Sequence, residues 1–106
     1  MYQLVANDDA PDIKVTITRE DTGAAVNMSG GTARLKFRAK GGTSLLFTLT
    51  DTNSDNLTNG IAVFQFGSTD LDIAEGYYEA EVEITYNDGK VETLYEVLDF
   101  YVRGDF

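Results

Sequence analysis

The stretch Gly76-Tyr77-Tyr78-Glu79-Ala80-Glu81-Val82-Glu83-Ile84-Thr85-Tyr86-Asn87-Asp88-Gly89-Lys90 decides the fold class. Tyr78, Ala80, Val82, Ile84 and Tyr86 share one phase of a period-two pattern, and Tyr77, Glu79, Glu81, Glu83 and Thr85 share the other. Such alternation marks a strand with one buried and one solvated face. Asn87 to Lys90 is the strongest turn signal in the chain, because Asp88-Gly89 supports the positive φ angles of a type I′ hairpin. With Asp88-Gly89 as a two-residue loop, Tyr86 opposes Val91, Ile84 opposes Thr93, Val82 opposes Tyr95 and Ala80 opposes Val97. The same register sets Glu81 against Glu96 on the outer face, a like-charge pair costing up to about 1 kcal/mol unless a cation intervenes. Leu98-Phe100-Val102 alternates in the opposite phase, so a bulge is expected near Glu96–Leu98.

Upstream the period is again two. Ile13-Val15-Ile17 alternates with Lys14-Thr16-Thr18, and Leu35-Phe37-Ala39 alternates with the basic stripe Arg34-Lys36-Arg38-Lys40. Leu45-Phe47-Leu49 alternates with Leu46-Thr48-Thr50, and a polar stretch from Asp51 to Gly60 reads as the longest loop. Ile61-Val63 and Phe64-Phe66 form a more apolar strand whose facing the pattern leaves open. Thr69 to Gly76 holds at most one helical turn, and no segment keeps a 3.6 period over three turns. About seven short strands, broken by turns roughly every ten residues, predict an all-β, immunoglobulin-like antiparallel β-sandwich. Gly76 and Tyr78 support that variant, since a tyrosine near the start of strand F folds back on upstream backbone in such domains. Strand F would then lie between C and G, setting Glu79, Glu81 and Glu83 beside Arg34, Lys36 and Arg38 and bringing a cation near Glu81–Glu96.

The 106 residues predict one domain, with residues 1–12 as a candidate N-terminal arm. Size scaling gives roughly 5,800 Å² of folded surface against roughly 16,800 Å² unfolded, enough burial for one core. Leu, Ile, Val and Phe supply 28 of the 106 residues, above the level at which a charged chain stays disordered. Cys, His and Trp are absent, which excludes disulfide scaffolds, thiol nucleophiles, Ser-His-Asp triads and Cys/His zinc sites. Absent Cys also fits synthesis in a reducing cytosol. Eight Lys+Arg against 18 Asp+Glu give −10, a poor match to nucleic acid. The whole net charge falls in residues 54–106, because residues 1–53 hold six basic and six acidic groups. No signal-peptide pattern and no apolar run of membrane-span length is present, so no membrane partner is expected.

Several short motifs carry chemistry on paper. Asp21-Thr22-Gly23 matches the aspartic-protease triplet, but it follows Arg19-Glu20 rather than an apolar strand end, so a turn is the better reading. Asp51-Thr52-Asn53-Ser54-Asp55 resembles the start of a calcium loop, yet Asn56 stands where the glycine belongs and Ala62 where the bidentate Glu belongs. Arg103-Gly104-Asp105 is an integrin-type tripeptide of a length that arises by chance. Glu79, Glu81 and Glu83 lie in a row rather than across a cleft, unlike glycosidase carboxylates. No cofactor or metal is expected, and no catalytic set is complete. Tyr77 and Tyr101 are in outward phase, with Tyr2 and Phe106 at the ends.

Laid end to end, several segments resemble a small immunoglobulin-like domain of tailed bacteriophages. These are Asn7 to Pro11 before an Ile-x-Val-x-Ile strand, Asp21-Thr22-Gly23 through Val26-Asn27-Met28-Ser29-Gly30, Thr32 to Arg38, and Gly60 to Val63. The closing run from Gly76 through Tyr78, Ala80, Val82 and Ile84 to Asp88-Gly89-Lys90-Val91-Glu92-Thr93 is the most specific. The pattern is similar to the N-terminal domain of the phage baseplate upper protein family. That resemblance implies a non-enzymatic virion protein, made in the host bacterial cytoplasm. It would dock to other virion proteins of tail, baseplate or neck, with a homo-oligomer also open. The family continues into further regions, whereas this sequence stops at Phe106. The competing readings are a bacterial surface or carbohydrate-binding β-sandwich and, last, a homodimeric aspartic protease.

The candidate interaction face comprises Tyr77, Glu79, Glu81, Glu83, Glu92, Leu94 and Glu96, all in one outward phase of the assumed register. Five carboxylates against Arg34, Lys36 and Arg38 leave an acidic surplus there, suited to a basic neighbour. Gly76, Tyr78, Asp88 and Gly89 are assigned structural roles.

Overall fold

The structure is a computed structural model that describes residues 1–19, 21–94 and 96–104. The expected Val82–Tyr95 pairing, Glu20 before the Asp21 turn, Asp105 of the tripeptide and the terminal Phe106 lie outside the described residues. In chain order the elements are β1 (Tyr2–Val5), β2 (Asp12–Thr16), β3 (Thr32–Ala39), β4 (Phe47–Asp51), α1 (Ser54–Thr58), β5 (Ile61–Gln65), β6 (Gly76–Thr85), β7 (Val91–Thr93) and β8 (Leu98–Arg103). The all-β expectation holds, with one short helix. No helix is long and apolar enough to cross a membrane.

One sheet runs β1-β8-β6-β3-β4, with β7 also paired to β6, and the second is β2-β5. Strand β6 sits between β3 and β8, antiparallel to both. Inward residues of both sheets close on one core: Ile13 and Phe64 from the smaller sheet, Leu35, Phe37, Val82, Ile84, Phe100 and Val102 from the larger. Phe37 is its centre, fully buried and stacked on Phe47 at 4.6 Å and on Tyr78 at 5.3 Å, with Phe66 edge-on at 6.5 Å. Such pairs add about 0.5–1.5 kcal/mol each beyond simple burial. The folded surface is 6456 Å², above the mass-based expectation, and extents of 43 × 25 × 23 Å show why: the domain is elongated.

Four expectations need correction. Residues 2–5 are not an arm but a strand, paired parallel to β8 with Tyr2 opposite Phe100, so the larger sheet is mixed rather than antiparallel. Stacking of Tyr2 on Phe100 at 5.0 Å gives that strand an apolar anchor. The Asp51–Gly60 stretch is not all loop. Asn53 caps α1 by accepting from the Asp55 and Asn56 N–H groups, and Leu57 is driven fully into the core.

The third correction is the hairpin. Tyr86 N–H donates to the Lys90 carbonyl at 2.8 Å and Gly89 N–H to the Tyr86 carbonyl at 2.9 Å, so the loop has three residues. Gly89 alone takes a positive φ, +87°. The turn is therefore not type I′, which would force Asp88 into the left-handed region at a steric cost. The observed register pairs Thr85 with Val91, Ile84 with Glu92 and Glu83 with Thr93. A shift of one residue turns every side chain of β7 to the other face.

The fourth follows from it. Past the hairpin, Ala80 pairs with Leu98 and Glu79 with Asp99. The β6–β7 ladder ends at Glu83 opposite Thr93 and the β6–β8 ladder at Ala80 opposite Leu98, so the ladder is interrupted where the bulge was expected. Glu81 and Glu96 consequently share no rung. Gly60 shows a further local constraint: at φ +74° its missing Cβ would lie 2.7 Å from the Ile17 carbonyl oxygen, which accepts the Val26 N–H.

Candidate interaction face

The outer face of the larger sheet is written by β3 and β6. Arg34 lies opposite Glu83, Lys36 opposite Glu81 and Arg38 opposite Glu79, as the complementary stripes require. The ion pairs are partly diagonal: Lys36 Nζ meets Glu83 at 2.7 Å, and Arg38 Nη2 meets Glu79 at 2.8 Å. Arg34 instead donates to the Thr85 hydroxyl at 3.0 Å. Lys40 reaches Asp99 on β8 at 3.3 Å. Glu79 also accepts the Gly41 N–H at 3.0 Å. The Arg38 hydrogen bond, followed by that N–H, holds its carboxyl below the usual range, while Arg38 is raised in turn. Glu81 is exposed with no ion pair among the described residues, and it adds to the field that stabilises the Arg38 cation.

Of the seven candidate residues, Tyr77, Glu79, Glu81 and Glu83 share this face. Glu92 and Leu94 do not, because of the hairpin register. Glu92 lies opposite Ile84, and its carboxylate accepts the Tyr86 hydroxyl at 2.6 Å. Leu94 packs against the core and donates its N–H to the Val82 carbonyl. Glu96 is exposed in the interruption between β7 and β8. The acidic surplus expected across all seven is therefore dispersed, and two of its glutamates are neutralised.

What remains on the outer face is aromatic. Tyr77 is 57% exposed and lies across from Tyr101, with ring centroids 4.9 Å apart and planes 59° apart. Tyr101 donates its hydroxyl to Glu75 at 2.9 Å, a bond that raises its pKa. Beside the pair, Gln3, Val5 and Arg103 line a shallow groove against Tyr101. Charge pairs on one side and this groove on the other leave the two rings as the apolar centre of the patch.

Comparison of the chain with family models, with curated proteins and with solved structures finds no match. Its chemistry has to be read from its own geometry.

A second concavity, about 620 Å³, opens at the far end of β6 between Arg19, Asn27, Ser29, Lys90 and the Tyr86–Glu92 pair. Burial, then the bond to Glu92, pushes Tyr86 up to about 12, so its hydroxyl stays a donor beyond the pH at which an ordinary tyrosine ionises. The other short motifs resolve locally. Asp21 is exposed at a hairpin tip closed by the Gly23 N–H on the Arg19 carbonyl. Both Asp51 oxygens accept backbone N–H groups, from Asn53 and Val63, and Asn53 caps α1, so these oxygens point at backbone.

Proposed function

We propose that this chain is a non-enzymatic structural module of a tailed-phage particle, built as an immunoglobulin-like β-sandwich and docking to neighbouring virion proteins around Tyr77 and Tyr101. The sandwich reading is supported by strand order: β3, β6 and β8 correspond to C, F and G, and β2 and β5 to B and E. Tyr78 adds to it by donating its hydroxyl to the Ala74 carbonyl four residues upstream, the bond of a tyrosine corner. The phage assignment draws on the sequence resemblance from Asn7 to Thr93.

The docking reading is carried by one observation, the exposed Tyr77 ring set against Tyr101 on a face whose other charges are largely paired. Tyrosine and arginine at the centre of a patch with a polar rim are the composition of interface hot spots. Truncating such an anchor costs about 2 kcal/mol or more, roughly 30-fold in affinity. Antibody labelling of purified particles should find the chain in virions, and Tyr77→Ala should cut its incorporation while leaving the fold intact. Particles without the chain would overturn the phage reading. Unchanged incorporation of Tyr77→Ala would overturn the docking site alone.

A further inference from the structure

We propose that Tyr77 and Tyr101 form a covalent modification site, where a one-electron oxidant joins the two phenols carbon to carbon and so staples β6 to β8. The two residues sit directly opposite each other in the β6–β8 ladder, and their ring centroids are 4.9 Å apart. Tyr77 is 57% exposed and Tyr101 half-buried, so an oxidant reaches the pair from water. Composition directs oxidation there. The chain has no Cys, Trp or His, its Met28 is buried, and Met1 reacts by taking up oxygen rather than by giving up one electron. Tyrosine is then the side chain that yields an electron most readily. Among the described residues no other tyrosine has a second tyrosine ring against it. Tyr2 stacks on Phe100 and Tyr78 on Phe37, and a phenylalanine ring does not couple in this way.

Glu75 supplies the second requirement, a place for the proton. Tyr101 donates its hydroxyl to the Glu75 carboxylate at 2.9 Å, and that bond favours the neutral phenol. An electron therefore leaves Tyr101 together with its proton, which passes along the hydrogen bond to Glu75. The Glu75 carboxylate is exposed and releases the proton to water. Tyr77 gives its electron to a second oxidising equivalent and its proton directly to solvent. The two tyrosyl radicals couple through the ring carbons next to their hydroxyls. Each of those carbons then passes its hydrogen to its own phenolic oxygen, which restores both phenols. In sum, two C–H bonds give way to one C–C bond, and two protons and two electrons leave the chain. Tyr86 is the contrast: its hydroxyl also donates to a carboxylate, that of Glu92, but no tyrosine ring lies against it. The inference rests on the ring contact and the Glu75 bond, and not on the phage reading or on docking at this patch.

Treating the dilute full chain with a ruthenium(III) polypyridyl complex, a one-electron oxidant, reads the outcome. Mass spectrometry should find a single chain lighter by two hydrogens, with the fluorescence of a biphenol and the link mapped to Tyr77 and Tyr101. Tyr77→Phe and Tyr101→Phe keep a ring at each position and should each abolish the product, with an unchanged circular dichroism spectrum. In Glu75→Gln the side chain still accepts the hydroxyl but no longer takes its proton, so coupling should slow severalfold at the same site. Cross-linking closes a loop over residues 77–101 and constrains the unfolded chain, so the product should unfold at higher urea than the untreated protein. Oxidation that joins only separate chains, or that couples any other tyrosine, overturns the proposal, as does a Tyr77→Phe chain that still forms the product. A Glu75→Gln chain that couples as fast as wild type overturns the proton step.

Discussion

Asp51 of β4 reaches across to Val63 of β5: its Oδ2 accepts the Val63 N–H at 2.8 Å while its Oδ1 accepts the Asn53 N–H at 2.9 Å. The carboxylate is buried, and it ties the edge of the larger sheet to the edge of the smaller one at the point where α1 begins. Hydrogen bonds to a charged group are worth more than neutral ones, and a buried N–H left without a partner costs about 1–3 kcal/mol. Asp51→Ala should therefore destabilise the fold by about 2–4 kcal/mol. Asp51→Asn should cost less, because its carbonyl oxygen can still serve one of the two donors. Urea denaturation of the three proteins gives the order; an Asp51→Ala chain as stable as wild type would remove the tie from the account.

Tyr78 makes a simpler case. Its ring stacks on Phe37 in the core, and its hydroxyl bonds the Ala74 carbonyl. Tyr78→Phe keeps the ring and deletes the bond, so it should cost about 1 kcal/mol. Tyr78→Ala adds the loss of a large aromatic and should cost about 3–5 kcal/mol. A gap of less than 1 kcal/mol between the two variants, read from denaturant midpoints, would mean that the corner bond outweighs the ring.

The contrast between β6 and β4 shows what could be read in advance. Strand β6 was legible because glutamates mark its solvent phase at every second residue, and the basic stripe of β3 fixed its neighbour. In β4 the inward phase of Phe47 and Leu49 continues to Asp51, and a hydrophobicity pattern ends a strand at such a residue instead of burying it. The signal was the phase itself. For the hairpin, Asn87-Asp88-Gly89 supports a two-residue loop and a three-residue loop alike. The decisive hint was the cost of setting Glu81 against Glu96, which the observed register avoids. Misplacing that loop by one residue carried Glu92 and Leu94 onto the wrong face. Strand β1 pairs with residues 98 positions away, and four residues carry no local trace of so distant a partner. The exposed phases of Tyr77 and Tyr101 were visible, but their contact depends on the β6–β8 register.

The Arg38–Glu79 pair predicts an acid-side response. Arg38, with help from the Gly41 N–H, lowers the Glu79 carboxyl below its ordinary 4.5. Between the lowered value and the ordinary one the unfolded chain binds the extra proton, so this group adds stability above the ordinary value. The contribution is lost as pH falls through the lowered one. The stability difference between wild type and Glu79→Gln should thus be largest at neutral pH and vanish in strong acid. Both groups are solvent-accessible and screened, so added salt should shrink the difference. A difference that is constant from neutral pH into strong acid would show that the pair does not couple to folding.

The Tyr86–Glu92 pair predicts the alkaline counterpart with the opposite sign. Burial, and then donation to the Glu92 carboxylate, raise the Tyr86 hydroxyl from 10.0 to about 12. In the unfolded chain the phenol ionises near 10 while the folded chain still holds its proton. The stabilising contribution is therefore complete below pH 10 and is lost as pH rises from 10 through about 12. Glu92→Gln removes the charge and leaves the burial, so it should lower the Tyr86 pKa only part of the way to 10. Arg19 opposes the raised value, and Arg19→Met should push the same titration further up. Carbon NMR shifts of the Tyr86 ring, followed against pH in the three proteins, separate these contributions. A Glu92→Gln chain in which Tyr86 titrates at 10 would show that the carboxylate alone sets the shift, and an unmoved titration would show that burial alone does.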